Sequence, residues 1–328
     1  MSGAVQIQKK TGNRNVSLLI TTLLFFVLFG AGSLAYDRFF SLSTFLNLFN
    51  DNAYLIIVAV GVTFVLLTGG IDISVASTLA FTCVFSAHLL RLGVPPAVVI
   101  PLVLLIGFGV GLLMGYLIQA FQLQPFIVTL AGQFFMRGFC AVISTNSIPI
   151  SDEFYKYMAL GKVSIGKGKL YYYVFFALVI LAAAYYTLRF TRFGRGVYAV
   201  GGSEQSAVLM GLPVARIKIA VYAISGFCAA LAGVVFSFYT LAGYSLQNMG
   251  LEMDAISSAV IGGTLLSGGV GSVIGTTFGA LIQGVIQTIV TYQNLNTWWT
   301  KVTIAALLCV FIVIQRGIAL RAERRKPG

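Results

Sequence analysis

Few residues of this sequence have the types and spacing that catalysis or metal binding requires. The chain has one histidine, His88, and its four cysteines all lie inside apolar runs, so neither residue type offers the grouped ligands of a zinc or haem site. The segment GKVSIGKG (Gly161–Gly168) approaches the spacing of a phosphate-binding loop, but a glycine occupies the position of the magnesium-binding Ser or Thr. We therefore expect no catalytic site, no bound metal and no cofactor.

The composition identifies the medium in which the chain folds. Of its 328 residues, 58% are hydrophobic and only 9% are charged, and the mean hydropathy is +0.94, whereas a soluble domain carries roughly 25% charged residues. The apolar runs are continuous rather than alternating, which predicts membrane-spanning helices and not a β-barrel. The net charge of +12 comes from basic residues between those runs. That pattern is typical of membrane topology signals, and it does not indicate a nucleic-acid-binding face.

A few charged and amide side chains lie within or beside the apolar runs. Asp72 follows a glycine pair, and Arg137 is the most deeply placed cation, with Gln133 one helical turn earlier on the same face. A charge in a bilayer needs a partner or a water-filled path. Asp72 is therefore interpreted either as a helix N-cap or as a gate element near the cytoplasmic mouth of a path. Arg137 is interpreted either as half of a structural pair or as a contact with a translocation route.

Ten apolar segments are expected to be membrane spans. They cover about residues 16–36, 52–68, 74–92, 95–119, 125–144, 170–189, 217–242, 252–267, 271–291 and 298–315, of which the third and eighth are short or interrupted by glycine. Residues 41–51 are expected to form an interfacial connector. The whole chain, residues 1–328, is thus predicted to be one all-α transmembrane domain.

The basic residues predict the orientation. If the N-terminus is cytoplasmic, most of the 21 Lys and Arg residues fall in segments that are also cytoplasmic. Because basic residues are enriched on that side, this distribution favours both termini inside. This topology places residues 190–218 and a tail at 316–328 in the cytoplasm, and a large loop at 144–170 outside.

Two glycine-rich breaks interrupt the spans. LLTGGIDISVAS contains Gly69 and Gly70, and VIGGTLLSGGVGSVIG separates the eighth span from the ninth. Both breaks would face the cytoplasm, and the quartets 52–144 and 217–315 would begin on opposite sides of the membrane. That is the layout of an inverted repeat, which often frames a translocation path. Glycines spaced by four, at 107, 111 and 115 and at 271, 275 and 279, are expected to pack helices closely.

The segment TRFGRGVYAVGGSEQSAVLMGLPVARIK interrupts the apolar sequence with basic residues and glycines. Gly201 and Gly202 are interpreted as a turn into a short helix, with Ser203 as its N-cap and Glu204 in its first turn. The helix is expected to end at Leu212–Pro213. An ordinary basic loop that only sets the topology is the alternative.

Four stretches carry a resemblance that covers nearly the whole chain. They are GVTFVLLTGGIDISVAS, QPFIVTLAGQFFMRG, the basic segment quoted above and DAISSAVIGGTLLSGGVGSVIGT. Together they resemble the sugar-type permeases of bacterial ATP-binding-cassette (ABC) importers, the family of ribose, xylose and arabinose permeases. Within it, SIPI, LAGQFFMRG and TWWTK are most similar to a permease of the galactofuranose importer, although related permeases carry other pentoses, hexoses and polyols.

The resemblance implies a non-enzymatic pore subunit of about ten helices in the bacterial inner membrane. It implies four kinds of partner: ATPase subunits on the cytoplasmic face, a second permease subunit, a periplasmic sugar-binding protein and the sugar itself. A heterodimer of permeases is favoured, because the galactofuranose system is thought to pair two different ones. The loop 144–170 would then be periplasmic.

The resemblance also implies that the short helix in 190–218 is a coupling helix that docks into the ATPase. Ser206, Ala207 and Gly211 stand at the Ala, Ala and Gly positions of the importer motif, with Gln205 in place of Glu. Small residues there would let the helix sit flush against its partner. The expected coupling residues are Gly194, Arg195, Gly201, Gly202, Ser203, Glu204, Ser206, Ala207, Gly211 and Pro213.

A path for a neutral sugar should present hydroxyls, amides and aromatic faces rather than charges. Such residues within the spans are candidates for the path, and the first glycine-rich break and the deeply placed Arg137 are added to them. The path and gate candidates are Asn52, Thr63, Gly69, Gly70, Asp72, Phe81, Thr129, Gln133, Arg137 and Ser258. Two other functions stay open at this stage. Asp72 is compatible with an ion-coupled secondary carrier for a small neutral solute, and a membrane-embedded enzyme is disfavoured because no catalytic constellation occurs.

Overall fold

Helices form most of the chain. The computed structural model describes residues 2–37, 39–296 and 298–324, and the side chains of 18–37, 39–296 and 298–313. In chain order the helices are α1 (Ser2–Ala35), α2 (Leu42–Leu67), α3 (Val75–Arg91), α4 (Pro96–Ala120), α5 (Pro125–Ile143), α6 (Glu153–Leu160), α7 (Tyr172–Phe190), α8 (Arg192–Gly202), α9 (Glu204–Leu209), α10 (Val214–Thr240), α11 (Leu251–Ile261), α12 (Val273–Tyr292) and α13 (Trp298–Arg324). The expected tail at 316–328 is helical to residue 324, and residues 325–328 lie outside the described residues. The all-α prediction is confirmed.

Each of the ten predicted spans coincides with a helix. Within the described residues, seven helices contain stretches that are long and apolar enough to cross a membrane: α1, α2, α4, α5, α7, α10 and α12. The third and tenth spans are shorter apolar helices, α3 and the first part of α13. The eighth is α11, which has only 11 residues, because the second glycine-rich break begins directly after it. The protein is therefore a multi-pass membrane protein with several shortened helices.

The prediction that residues 41–51 form an interfacial connector is wrong. α2 already begins at Leu42, because the hydroxyl of Ser41 caps it by accepting a hydrogen bond from the amide of Thr44 at 3.1 Å. Leu46 and Leu48 in these first turns are buried. Packing of their side chains extends the helix to 26 residues.

α2, α10 and α12 form the centre of the bundle. Buried residues make up 89%, 78% and 72% of their apolar stretches, compared with 28% or less for α1, α4, α5 and α7. The outer helices therefore present apolar side chains to lipid, while the inner ones bury theirs against protein.

The two predicted glycine stripes pack helices together, as expected. A methyl group on Gly107 of α4 would lie 2.7 Å from the carbonyl oxygen of Gly226 on α10. A methyl group on Gly279 of α12 would lie 2.8 Å from the carbonyl carbon of Ser258 on α11. Because no side chain fits between these backbones, the helices approach as closely as small-residue motifs allow.

The two ends of the bundle differ in structure. At one end, here called the hairpin end, β2 (Lys162–Ile165) and β3 (Gly168–Tyr171) form an antiparallel hairpin, and β1 (Ile148–Pro149) pairs with β4 (Ala242–Gly243). The segment with the spacing of a phosphate loop is thus an exposed hairpin. At the opposite end, here called the α8–α9 end, α8 and α9 connect α7 to α10.

The hairpin is fixed to the start of α2 by one side chain. The amide nitrogen of Asn50 donates to the carbonyl oxygen of Lys169 at 2.9 Å, and its amide oxygen accepts from the backbone nitrogen of Tyr171 at 3.1 Å. Asn50 therefore takes the place of a neighbouring strand at the edge of β3.

Candidate functional site

The polar segment 190–218 folds into two helices where the sequence predicted one. Gly194 and Arg195 lie in the first turn of α8, and Gly201 and Gly202 lie in its last turn. The expected glycine turn before Ser203 is therefore helical. Its glycines serve close packing, because a methyl group on Gly201 would lie 2.5 Å from the amide nitrogen of Gly269.

Ser203 joins the two helices and caps the second, as predicted. Its hydroxyl oxygen accepts a hydrogen bond from the amide of Ser206 at 3.3 Å. Glu204 lies in the first turn of α9, where its negative charge is favourable to the helix dipole. Its carboxylate also accepts a hydrogen bond from Lys218 Nζ at 2.6 Å. This ion pair connects α9 to α10.

α9 ends at Leu209, three residues before the predicted end. Gly211 adopts a φ of +75°, and the amide of Leu212 donates to the carbonyl oxygen of Ala207 at 3.1 Å, which is the hydrogen bond of a Schellman motif. A methyl group on Gly211 would meet nothing within 4 Å, so the backbone conformation and not crowding requires glycine. Pro213 precedes α10 as its N-cap residue.

Of the three residues predicted to face a partner, Ser206 and Gly211 are exposed and Ala207 is not. Ala207 is fully buried against the chain itself, so it does not supply a flat surface for a partner. Three apolar residues are exposed, Val208, Leu209 and Met210, at 58%, 88% and 66% of their full accessibility; we call them the apolar tip. These three adjacent side chains form an exposed apolar patch at the end of a short helix. The sequence feature that could have indicated this exposed patch is the apolar run of Val208, Leu209 and Met210 inside the polar segment 190–218.

Glycines from three separate segments meet at the α8–α9 end. We call Gly69, Gly201, Gly202, Gly268 and Gly269 the glycine junction. A methyl group on Gly268 would lie 2.7 Å from the amide nitrogen of Gly69, and one on Gly269 would lie 2.9 Å from the backbone nitrogen of Gly202. Gly69, Gly268 and Gly269 have φ angles of +79°, +82° and +76°, which residues with a side chain rarely adopt.

A backbone hydrogen bond closes the junction. The amide of Gly269 donates to the carbonyl oxygen of Leu67, the last residue of α2, at 2.9 Å. A methyl group on Gly201 would overlap that same oxygen. The two breaks therefore lie at one end of the bundle, as predicted, and the last turn of α8 packs against both of them.

Asp72 connects the first break to α10. The carboxylate is fully buried. One of its oxygens accepts from the amide and hydroxyl of Ser74 at 3.0 and 2.6 Å, and the other accepts from the hydroxyl of Ser225 at 2.7 Å. α3 begins after Ser74 without a side-chain cap, so Asp72 does not act as its N-cap residue. Burial raises the pKa of Asp72, and the hydrogen bonds from the two serines partly oppose that rise. Gly70 lies beside it, where a methyl group would come within 2.5 Å of the Tyr222 hydroxyl.

The deep cation has main-chain partners. Arg137 Nη1 donates to the carbonyl oxygens of Ser245 and Gln247 at 2.6 and 3.0 Å, so its pairing is structural, but with carbonyl groups rather than with an acid. One turn earlier, the amide nitrogen of Gln133 donates to Glu252 Oε1 at 3.3 Å. α5 is thereby attached both to the first turn of α11 and to the segment that leads into it.

The remaining path candidates are dispersed. Thr63, Thr129 and Ser258 are fully buried, and each hydroxyl donates to the carbonyl four residues earlier at 2.7 to 2.9 Å. The ring of Phe81 stacks on Phe85, with 5.2 Å between ring centroids. Asn52 differs from these because it lines a cavity at the hairpin end. The structure does not bring the ten path and gate candidates together at one place.

Comparisons with known proteins agree with this architecture. Residues 44–312 match the family described as branched-chain amino acid transport system / permease component. The chain is 45% identical to the inner membrane ABC transporter permease protein YjfF of Escherichia coli (strain K12), over 96% of each chain. It is 37% identical to the fructose import permease protein FruG of Bifidobacterium longum (strain NCC 2705), over 94% of this chain and 93% of that protein. It is 32% identical to the ribose import permease protein RbsC of Escherichia coli (strain K12), over 84% of this chain and 87% of that protein.

No solved structure matches the chain. The family match covers most of the sequence, and the helices of the structure supply the spans that an inner-membrane permease needs. The chain belongs to the branched-chain amino acid transport system / permease component family, among its sugar-type ABC importer permeases.

Proposed function

We propose that this chain is the transmembrane permease subunit of an ATP-driven importer of a monosaccharide, with galactofuranose as the first candidate. The observation that carries the proposal is the apolar tip of α9, which is linked through α8 to the glycine junction. The relatives named as fructose, ribose and D-allose permeases support a sugar as the substrate class. The similarity of SIPI and TWWTK to a galactofuranose permease supports the finer assignment.

In this proposal the α8–α9 end faces the cytoplasm and the hairpin end faces the periplasm, with both termini cytoplasmic. The apolar tip docks into a separate ATPase subunit, which performs the hydrolysis. A periplasmic binding protein delivers the sugar at the hairpin end. A second permease, a different chain in the galactofuranose case, completes the pore, and each permease acts as a single transmembrane domain.

The short connection from the apolar tip to the breaks gives this proposal a mechanism. The cap at Ser203 and the ion pair of Glu204 with Lys218 hold α9 against α8 and α10. The last turn of α8 packs directly on the backbone of Leu67 and Gly269. Because these backbone segments are close-packed, a displacement of α8 must move the segments that it contacts. A movement of α9 that is driven by ATP binding would therefore shift the end of α2 and the second break together.

The decisive experiment is reconstitution into proteoliposomes. The chain is combined with its ATPase, its partner permease and its binding protein, and uptake of labelled galactofuranose, ribose and fructose is measured with and without ATP. We expect uptake that requires both ATP and binding protein. Uptake without ATP that an ionophore abolishes would contradict the proposal and favour an ion-coupled carrier.

Asp72 distinguishes the two mechanisms within the chain. An ion-coupled carrier that used Asp72 would need its negative charge, whereas the importer needs only a group that accepts hydrogen bonds from Ser74 and Ser225. Asp72→Asn keeps the size and an acceptor oxygen. We therefore expect this variant to retain ATP-driven uptake within about threefold of the unmodified complex, because the tie to α10 is weakened and not removed. Complete loss of uptake with normal membrane insertion would favour the carrier.

A further inference from the structure

We propose that the cavity at the hairpin end binds the sugar as an uncharged ligand, before it reaches the glycine junction. This inference rests on the proposed import function. The cavity has a volume of about 430 Å³ and lies among the middle turns of α2, the first turns of α11 and α13 and the later turns of α12. Cavities of roughly 300–1,000 Å³ accommodate small-molecule ligands.

The charges of the cavity indicate a neutral ligand. Its lining contains one carboxylate, Asp254, and one ammonium group, Lys301. They form an ion pair that joins α11 to α13. Because each charge already has its counter-charge, the cavity offers no net charge to an anion or a cation. A cationic or anionic solute would have to displace one partner of the pair and leave the other unpaired.

The polar groups of the cavity match a ligand rich in hydroxyls. Gln283 and Asn52 are 4% and 6% exposed, and their amides each offer donor and acceptor atoms. Gln283 Nε2 donates to the carbonyl oxygen of Asp254 at 2.9 Å, and Asn52 Nδ2 donates to the carbonyl oxygen of Leu48 at 2.8 Å. These bonds fix the orientation of both amides. Vicinal hydroxyl groups need this combination of fixed donors and acceptors.

A buried hydroxyl supplies an independent indication. Thr300 lines the cavity and is only 5% exposed, yet its hydroxyl has no hydrogen-bond partner among the described residues. Buried polar groups are nearly always satisfied in proteins, and each exception calls for a partner. The hydroxyl oxygen is covered in this rotamer, so a rotation about χ1 would have to turn it toward the cavity before a sugar hydroxyl became its partner.

An aromatic side chain completes the site at its rim. Trp298 lines the cavity while remaining 74% exposed. An indole ring offers an apolar face beside a polar group, and the ring of a sugar has an apolar face that can pack on it. Behind the amide of Asn52, Gly284 of α12 makes room for it, because a methyl group there would lie 3.1 Å from Asn52 Cγ.

Fluorescence of the chain provides a direct binding test. The sequence contains two tryptophans, Trp298 and Trp299, so Trp299→Phe leaves Trp298 as the single reporter in the purified chain in nanodiscs. Titration with galactose and ribose is expected to give a saturable change of emission. Galacturonate, which adds a charge to the same ring, is expected to bind at least about tenfold more weakly.

Two variants distinguish binding in the cavity from a non-specific effect of sugar on the fluorescence. Gln283→Leu in the Trp299→Phe background should abolish the saturable change. Glu153→Gln should leave it unaltered, because Glu153 forms an exposed ion pair with Lys156 outside the cavity. A change that persists at the same affinity in Gln283→Leu would overturn the assignment of these residues.

Transport measurements decide the role of the site. In the full reconstituted complex, Gln283→Leu and Trp298→Ala should lower kcat/KM for uptake at least about tenfold. Trp298→Ala is the control for misfolding of Gln283→Leu. It is expected to fold normally, because the removed side chain is mostly exposed. Unchanged uptake by both variants in a complex that transports normally would refute the cavity site and leave the importer standing. Failure of the unmodified complex to show ATP-driven uptake would instead refute the proposed function.

Discussion

A single added methyl group should reveal whether the glycine junction carries the coupling motion. Gly201→Ala places a Cβ atom on the carbonyl oxygen of Leu67 and 2.5 Å from the amide nitrogen of Gly269. Ordinary van der Waals contact would require α8 to move away by about 1.5 Å, and overpacking of this kind costs about 1–3 kcal/mol. That displacement would also stretch the hydrogen bond between Gly269 and Leu67, now 2.9 Å, which contributes about 1 kcal/mol.

The expected result is uncoupling without loss of the folded protein. Most of the helix packing lies away from the junction, so Gly201→Ala should insert into the membrane and assemble with the ATPase. ATP-driven uptake should fall at least about tenfold, while basal ATP hydrolysis by the complex stays within about twofold of normal. The assay measures both rates on the same proteoliposomes, together with the amount of assembled complex.

Two matched controls test the reasoning from geometry. Methyl groups added to Gly109 of α4 or Gly138 of α5 would meet nothing within 4 Å, so Gly109→Ala and Gly138→Ala should transport normally. If Gly201→Ala also transported normally, the junction would not relay motion. If its uptake fell only in proportion to the amount of folded complex, the glycines would serve packing alone.

Further variants test other parts of the structure. Leu209→Asp should leave the chain folded, because Leu209 is 88% exposed, but it should weaken co-purification with the ATPase at least about tenfold by placing a charge in an apolar contact; undiminished co-purification would mean that the apolar tip is not the docking surface. Ser225→Ala removes one of the hydrogen bonds to Asp72 and should lower stability by about 1.5–3 kcal/mol, visible as a lower thermal midpoint in detergent. Asn50→Leu removes both hydrogen bonds that hold the hairpin and should speed amide hydrogen exchange in residues 162–171, with the α8–α9 end unchanged; equal exchange at both ends would indicate global destabilisation instead.

Local features of the sequence were sufficient to place the apolar helices, but they did not predict α6 or α8. Continuous apolar runs placed all ten predicted spans on helices, and the preference of serine for N-cap positions identified Ser203 correctly. The error at residues 41–51 arose because capping by Ser41 and burial of Leu46 and Leu48 lengthened α2 beyond its most apolar stretch. Helix ends depend on such contacts more than on hydropathy.

The functional groups were harder to predict, since their partners lie far away in the sequence. Asp72 was interpreted either as a helix N-cap or as a gate element, and neither interpretation included the hydrogen bond that one of its oxygens accepts from Ser225 on α10. Ala207 was expected to face a partner protein but is buried within the chain. Spacing in the sequence gives the residue types on a helix face, but it does not say which neighbour covers that face.

The sequence by itself determined that this protein spans a membrane, that its spans are helical and to which family it is related, because composition, apolar run length and motif order are properties of the chain alone. Only the tertiary structure decided that Leu67, Gly201 and Gly269 touch, and that α2, α11, α12 and α13 enclose a polar cavity. The physical reason is that close packing joins residues that are distant along the chain. Glycine permits a contact of that kind, but the fold determines which backbone occupies the space.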